Sequence, residues 1–342
     1  MRKVTIALIL LVLIVAGGAA GGYYWIQYAF FAPGPSRTPV RVQVDPGTSV
    51  RSVLTHLAGQ GALANLRAVE LYLRIHGRRP NVHFGLYEIP AGASAAQILQ
   101  QFEEGRVVLE QITVVEGSTF ADFRRELDEN PDVTHTLKDK SPDELMKAIG
   151  HPDEHPEGRF FPDTYKFAGK TSDRDILVVA YNAMQKLVAS AWAGRSPDLP
   201  FETPYQAIIL ASVIEKETGL PAERPLIAGV FVNRLRKGMR LQSDPTVIYG
   251  LGPSYDGTVH SRDLTTDTPY NSYTRAGLPP TPIALPGRES ILAALHPQET
   301  GDLYFVATAS GDGGHHFSKT LEEHNAAVKD YLSRLRQSAG AR

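Results

Sequence analysis

A carboxyl that closes an apolar helix face can hold a proton near neutral pH, and Glu217 occupies such a position. Thr203-Pro204-Tyr205-Gln206 has the residue types of a helix start: a hydroxyl cap, proline at the first position and glutamine three residues after the cap. The spacing predicts a helix that runs through Thr218 and stops at Gly219, with Pro221 just beyond. Ile209, Leu210, Val213 and Ile214 fall on one face of it. Glu217 follows Ile214 by three and Val213 by four and extends that face, whereas Glu215 lies about 200° round the helix and points elsewhere. Partial desolvation raises a carboxyl's pKa, which suits a general acid. The structural alternative is a solvated last-turn residue, or one paired with Lys216 or Arg224. The helix macrodipole disfavours a negative charge at that end.

Three other groups have the residue types of a binding site. Arg240–Thr246 alternates like a strand that leads into a short helix, with Asp244 as N-cap and Pro245 at the first position. Asp244 is therefore either a cap or a second carboxylate, and Gln242 and Ser243 either bind sugar hydroxyls or amides or lie on the surface. Tyr270, Asn271 and Tyr273, followed by Gly277-Leu278-Pro279-Pro280, make a stiffened loop of aromatic and amide groups. Such a loop suits a saccharide groove or plain packing. His315, His316, Glu322, Glu323 and His324 have metal-ligating side chains, but their spacing matches no zinc signature. Structural or substrate hydrogen bonding is the reading kept, with His315, His324 and Asn325 as candidate substrate-binding residues, and no metal site is expected.

Elements that would position these groups follow along the chain. Val40–Val44 alternates as a strand before an Asp45-Pro46-Gly47 turn. Ser49–Leu57 and Leu66–Ile75 have helical periodicity, and Gly59–Gly61 interrupts them. Gly85–Ile89 returns as a strand, Ser94 with Gln97 caps a helix through Phe102, and Val107–Val115 reads as a long strand. Phe120–Gly158 is mixed helix and loop, and Leu321–Arg336 is an amphipathic helix that docks on the last domain. The fold class expected is α+β.

The chain has 342 residues, 42% of them apolar, and a net charge of -2. A nearly neutral surface gives no general attraction to nucleic acid, and none is expected as a partner. The absence of cysteine excludes disulfides, thiolate metal sites and a cysteine nucleophile. Arg2 and Lys3 precede an apolar run from Val4 to Ile26, long enough to cross about 30 Å of hydrocarbon. Tyr23, Tyr24 and Trp25 would meet the far headgroups, and the charge bias places the N-terminus in the cytoplasm. The alternative is a cleaved signal peptide with Val4–Val15 as its apolar core. Under either reading the rest of the protein lies outside the cytoplasm. Ala32–Pro39 reads as a stiff Pro-rich spacer.

Several long motifs occur in order. They are Glu157–Tyr165 (EGRFFPDTY), Ala211–Thr218 (ASVIEKET) and Gly238–Gly250 (GMRLQSDPTVIYG). Tyr270–Tyr273, Gly277–Pro280, Tyr304–Ala307, Gly313-Gly314-His315, Phe317-Ser318 and His324-Asn325 complete the series. By these motifs the chain resembles the endolytic murein transglycosylases, the MltG or YceG-like family, over nearly its whole length. Asp128–Glu157 is the least regular stretch.

The resemblance implies an N-terminal transmembrane helix, a small LysM-like peptidoglycan-binding module and a mixed α/β catalytic domain with a glutamate-bearing helix at its cleft. The expected division is 1–31 for the cytoplasmic tip and anchor, 32–39 linker, 40–110 module, 111–336 catalytic domain and 337–342 tail. It implies Glu217 as the catalytic acid in cleavage of the β-1,4 bond between N-acetylmuramic acid and N-acetylglucosamine. The same carboxylate would then take the proton of the muramoyl C6 hydroxyl, leaving a 1,6-anhydro end without consuming water. Such a lyase terminates glycan elongation and uses no cofactor. Glycan strands, the inner-membrane bilayer and glycan-synthesising penicillin-binding proteins are the partners implied. Three rival readings stand beside it. One is a non-catalytic peptidoglycan-binding scaffold. Another is a lysozyme-type hydrolase with Asp244 or Glu223 as second carboxylate. The third is a metal-dependent amidase built on His315–His324.

Overall fold

A computed structural model describes residues 2–340, with side chains up to residue 337; the last two residues of the expected 337–342 tail lie outside the described residues. The chain divides into two compact units. One comprises the chain up to Glu110 together with Lys166–Thr171; the other comprises Gln111–Tyr165 and the chain from Ser172 onward.

The first unit opens with a long apolar helix, α1 (Arg2–Phe31), followed by β1 (Val40–Val44), α2 (Val50–Gly59), α3 (Leu66–Ile75), β2 (Gly85–Ile89) and α4 (Ala95–Glu103). The strands pair antiparallel from Val40 opposite Ile89 to Val44 opposite Gly85. Alternation buries Val42 and Val44 on one face, against Tyr87, Leu54, Leu57, Ile98 and Phe102. Ser49 caps α2, and Ser94 with Gln97 forms a complete capping box on α4. The large side chains from Val4 to Val15 on α1 are exposed, whereas Ile26 and Phe30 are buried. The Phe30 ring stacks on Tyr72 of α3 at 3.6 Å between centroids, so the last turns of α1 belong to this unit's core. The Pro-rich segment after α1 is also held down. The Gly34 N–H bonds Gly92 O at 3.1 Å, and the Gly92 N–H bonds Ser36 O at 2.9 Å. A Cβ on Gly34 would lie 2.4 Å from Ala93 O, so only glycine fits, and the segment is packed chain rather than a free spacer.

The chain passes between the units along two paired strands, β3 (Leu109–Thr113) and β4 (Thr164–Ala168). β3 is shorter than its apolar sequence suggested. The second unit then holds α5 (Phe120–Glu129), α6 (Pro142–Ala148), α7 (Asp173–Ala193), α8 (Pro204–Glu217), α9 (Arg224–Arg236), α10 (Asp244–Leu251), α11 (Ser261–Thr265) and α12 (Arg288–Leu295). A hairpin of β5 (Tyr304–Ala307) and β6 (His315–Ser318) follows, and α13 (Leu321–Gly340) ends the described chain. The fold is mixed α and β.

The central element of this unit is α8. Its start is capped as expected, with a complete Thr203–Gln206 box. Every residue from Ala207 to Ile214 is buried, against α12, α9, α7 and α10, so the helix is enclosed on all sides rather than along one stripe. Ser212 is accommodated because its hydroxyl donates to Ile209 O at 2.7 Å and accepts from the Ile283 N–H at 3.0 Å. The helix stops one residue earlier than its sequence suggested. Thr218 is extended, at φ -143° and ψ 139°, and its hydroxyl accepts from the Leu220 N–H at 3.0 Å, which takes the chain out of the helix. α13 packs on the β5–β6 hairpin, and Leu332 and Leu335 beyond that contact are exposed.

Candidate active site

Glu217 ends α8 at the wall of a cavity of about 530 Å³. The cavity's other walls come from α9, the segment that leads into α10, the β5–β6 hairpin and the start of α13. Of the residues singled out in the sequence, Gln242, Asp244, Tyr273, His315, His324 and Asn325 line it together with Glu217.

The Glu217 carboxyl is half-buried and accepts the hydroxyl of Ser243. Burial pushes its pKa up to about 7; the negative charge of Asp244 adds to the rise, while the Ser243 hydrogen bond and the Arg234 charge oppose it. The carboxyl is thus largely protonated on the acid side of neutrality. Glu215 faces away, as the helical wheel required. It is buried, pairs with Arg224 at 3.2 Å and accepts the Gly287 N–H at 2.8 Å. The two glutamates of the EKET motif are therefore divided between the cavity and the core.

The segment before α10 does not form a strand, and Asp244 does not cap the helix. Ser243 occupies the cap position without a side-chain bond to the helix, and Asp244 is the first helical residue. Gln242 has φ +54°, which breaks strand alternation and turns the backbone. The freed Asp244 carboxylate accepts the Tyr273 hydroxyl at 2.6 Å. Burial pushes the Tyr273 phenol far up, and the adjacent Asp244 adds to this, so it acts as a hydrogen-bond donor throughout the neutral range.

Tyr270 and Asn271 are placed away from the cavity lining. Tyr270 meets Tyr249 edge-on at 4.8 Å and bonds the Thr281 hydroxyl at 2.8 Å. Asn271 is fully buried, and its amide donates to the carbonyls of Thr266 at 2.7 Å, Asp263 at 2.9 Å and Leu264 at 3.3 Å. These bonds tie the α11 loop into the unit and leave its donors no role in a groove.

Arg234 is a cavity residue that the motifs did not single out. It donates to Leu303 O at 2.6 Å, Leu241 O at 2.9 Å, Arg240 O at 3.1 Å and Gln242 Oε1 at 3.1 Å, and its guanidinium lies 5.2 Å from the Tyr304 ring centre. Burial lowers its pKa without neutralising it. It joins the cavity's floor to the hairpin. Its signal was present in the sequence, since Arg234 follows Phe231 by three and Val230 by four on an otherwise apolar helix face.

Asp128, His135 and Asp173 are close enough together to suggest a cation site. Asp173 already accepts from the Thr136 N–H, the Thr136 hydroxyl and the Leu137 and Arg174 N–H groups, which leaves little capacity for an ion. The His315–His324 pair of the metal reading is separated in role. His315 is bonded to Glu223, and His324 stacks on Tyr304 at 5.2 Å.

A family model described as the YceG-like family matches residues 42–330, and the chain belongs to that family. A protein of Bacillus subtilis named endolytic murein transglycosylase is 33% identical over 87% of this chain and 86% of its own length. One of that name from Streptococcus pneumoniae is 25% identical over 91% of this chain, which spans 62% of that longer protein. The crystal structure of a yceG-like protein from Listeria monocytogenes is similar at 30% identity and a TM-score of 0.50, covering 85% of this chain and 99% of that one.

Proposed function

We propose that this chain is a membrane-anchored endolytic transglycosylase of peptidoglycan, with Glu217 as its proton donor. The enzyme class, a lyase that breaks glycan strands without water, comes with the family and its named relatives. The observation that carries the reading is the Glu217 carboxyl, held near pKa 7 at the wall of a cavity large enough for part of a sugar chain. The bond cut is the β-1,4 link from N-acetylmuramic acid to N-acetylglucosamine in nascent strands. Glu217 protonates the leaving oxygen as positive charge develops at C1, and the C6 hydroxyl of the same muramoyl sugar closes on C1. Gln242, Asp244, Tyr273, His324 and Asn325 contact the sugars, with Ser243 holding the acid. Tyr270 and Asn271 support the walls. Cleavage of nascent strands ends their elongation, with glycan-synthesising penicillin-binding proteins as partners. α1 is the anchor, since its apolar side chains face outward and match a bilayer's thickness. The first unit beyond α1 is assigned as the LysM-like module.

Full-length protein in detergent, incubated with un-crosslinked glycan strands, is expected to give products ending in 1,6-anhydro-muramic acid by mass spectrometry. The Glu217→Gln variant should give none. Reducing ends from the native protein would replace this reading with a hydrolase.

A further inference from the structure

Arg234 is a buried cation with no paired carboxylate at the wall of the Glu217 cavity. It is 7% exposed, and every oxygen it bonds is neutral: the carbonyls of Leu303, Arg240 and Leu241 and the Gln242 amide oxygen. Those bonds use Nε and Nη1. Nη2 has no partner among the described residues, and it is not sealed from solvent. A buried charge costs free energy unless something pairs with it.

Gln242 completes the arrangement. A guanidinium only donates, so the Gln242 oxygen faces Arg234 and the amide nitrogen is turned away from it. That nitrogen has no partner among the described residues, and Gln242 lines the cavity. Its backbone is held at φ +54°, in the left-handed region, and its N–H donates to Ser272 O at 3.2 Å. Such a conformation persists only where the surroundings impose it. The next residue, Ser243, bonds the Glu217 carboxyl. One peptide bond thus separates the residue that orients the acid from the residue that bonds Arg234.

Arg234 Nη2 and Gln242 Nε2 offer N–H groups and no acceptor, and the first carries positive charge. Such a corner takes a carboxyl group in preference to a hydroxyl. Along a peptidoglycan strand the acetamides and ring hydroxyls recur on both sugars. The muramoyl sugar alone has a lactyl group on O3. Its carboxyl is free in bare strands and an amide carbonyl in peptide-bearing ones. That group sits on the sugar whose C1 is attacked. Resting on the reading of the substrate as peptidoglycan, we propose that Arg234 and Gln242 bind the lactyl carboxyl oxygens of this sugar and so distinguish it from glucosamine beside the acid. A strand shifted by one sugar places a hydroxyl there and leaves the guanidinium unpaired. A site built to pair a polar group rejects a ligand that lacks it. Arg234 and Gln242 thereby set which bond is presented, and Glu217 alone acts on it.

The test measures binding in the full-length Glu217→Gln protein, which holds strands without cutting them. Three ligands of equal length are compared. They are peptide-free strands with free lactyl carboxylates, the same strands with that carboxyl reduced to an alcohol, and chitin oligosaccharides, which keep the acetamides and lack the lactyl group. The carboxylate strands are expected to bind about 10-fold more tightly than either of the others. Adding Gln242→Glu puts a carboxylate on Arg234 and removes the amide donor. This variant should unfold at the same temperature as its parent or higher, and should show no preference for the carboxylate strands. Gln242→Ala, which leaves the charge unpaired, should keep about a threefold preference. Equal binding of the three ligands by the parent would overturn the assignment. So would a preference that survives Gln242→Glu, a lower unfolding temperature in that variant, or chitin binding that falls in step with strand binding. If the native protein still forms 1,6-anhydro ends, only the assignment has failed; no binding and no cleavage would overturn the peptidoglycan reading with it.

Discussion

The Ser243 hydroxyl donates to the Glu217 carboxyl from a position where a serine ordinarily caps its own helix. Ser243 is held there by its backbone. Its N–H donates to the Ser272 hydroxyl at 2.9 Å, and its carbonyl accepts from the Thr246 hydroxyl at 2.7 Å. The cap of α10 is given up, and a hydrogen bond to the acid is gained. That bond favours the charged carboxylate and tempers the rise that burial causes.

Ser243→Ala should therefore move the alkaline limb of the pH–rate profile upward, because the carboxyl then holds its proton more tightly. Turnover at the optimum should fall roughly tenfold through loss of orientation, with little change in strand binding. A pH–rate profile measured beside the native protein checks it; an unmoved limb would sever Ser243 from the acid.

Glu217→Gln should remove activity and stabilise the fold at alkaline pH. The folded-state value near 7 lies above the ordinary glutamate value of about 4.3. The native state therefore binds the proton more tightly than the unfolded chain. That contribution is full below the unfolded value and is lost as pH rises through 7. Glutamine carries no such penalty and still accepts from Ser243. Its advantage in thermal unfolding should be absent at pH 4, grow between pH 5 and 7 and level off by pH 8, at up to about 3 kcal/mol. A Glu217→Gln protein less stable than native at pH 8 would contradict the desolvated carboxyl.

Much of this was legible in the sequence because it rests on local rules. The Thr203–Gln206 and Ser94–Gln97 boxes depend on residues three apart, and both form as read. The direction of Glu217 relative to Glu215 follows from helical period alone. Pairing across long separations was not legible. Asp244 reads as a cap until Tyr273 is brought to it, and Asn271 reads as a sugar-binding amide until three carbonyls of its own loop surround it. The Pro-rich segment after α1 has a linker's composition, yet Gly34 is packed against Ala93 and Ala62, which no local pattern announces.

Phe30→Ala should destabilise the first unit by about 3–5 kcal/mol, since Phe30 is fully buried and stacked on Tyr72. A soluble fragment that begins at Arg37 lacks this ring and should unfold at lower temperature than one that begins at Gly22. Thermal unfolding of the two fragments decides it. Equal midpoints would mean that α1 is only an anchor.

A second carboxyl shows why a raised pKa alone does not mark the acid. Glu157 is buried, and burial pushes it up to about 7, as for Glu217. It accepts the Phe120 N–H at 2.9 Å and the Tyr249 hydroxyl at 3.0 Å, and it does not line the Glu217 cavity. Its geometry therefore joins α5 to α10 instead of serving a substrate. Glu157→Gln keeps an oxygen for the Phe120 N–H, and its amide can donate to a rotated Tyr249 hydroxyl. This variant should keep turnover within about threefold and gain stability as pH rises from about 5 to 7, levelling off above, because the unfolded carboxyl ionises there while the buried native one holds its proton. Glu157→Ala should lose about 2–4 kcal/mol at acid pH, because it leaves the Phe120 N–H unpaired and opens a void, and its deficit should shrink as pH rises to neutrality, where native Glu157 carries its own ionisation penalty. Turnover and unfolding measured on the same two variants separate the roles; a large loss of turnover in a stable Glu157→Gln protein would bring Glu157 into the chemistry.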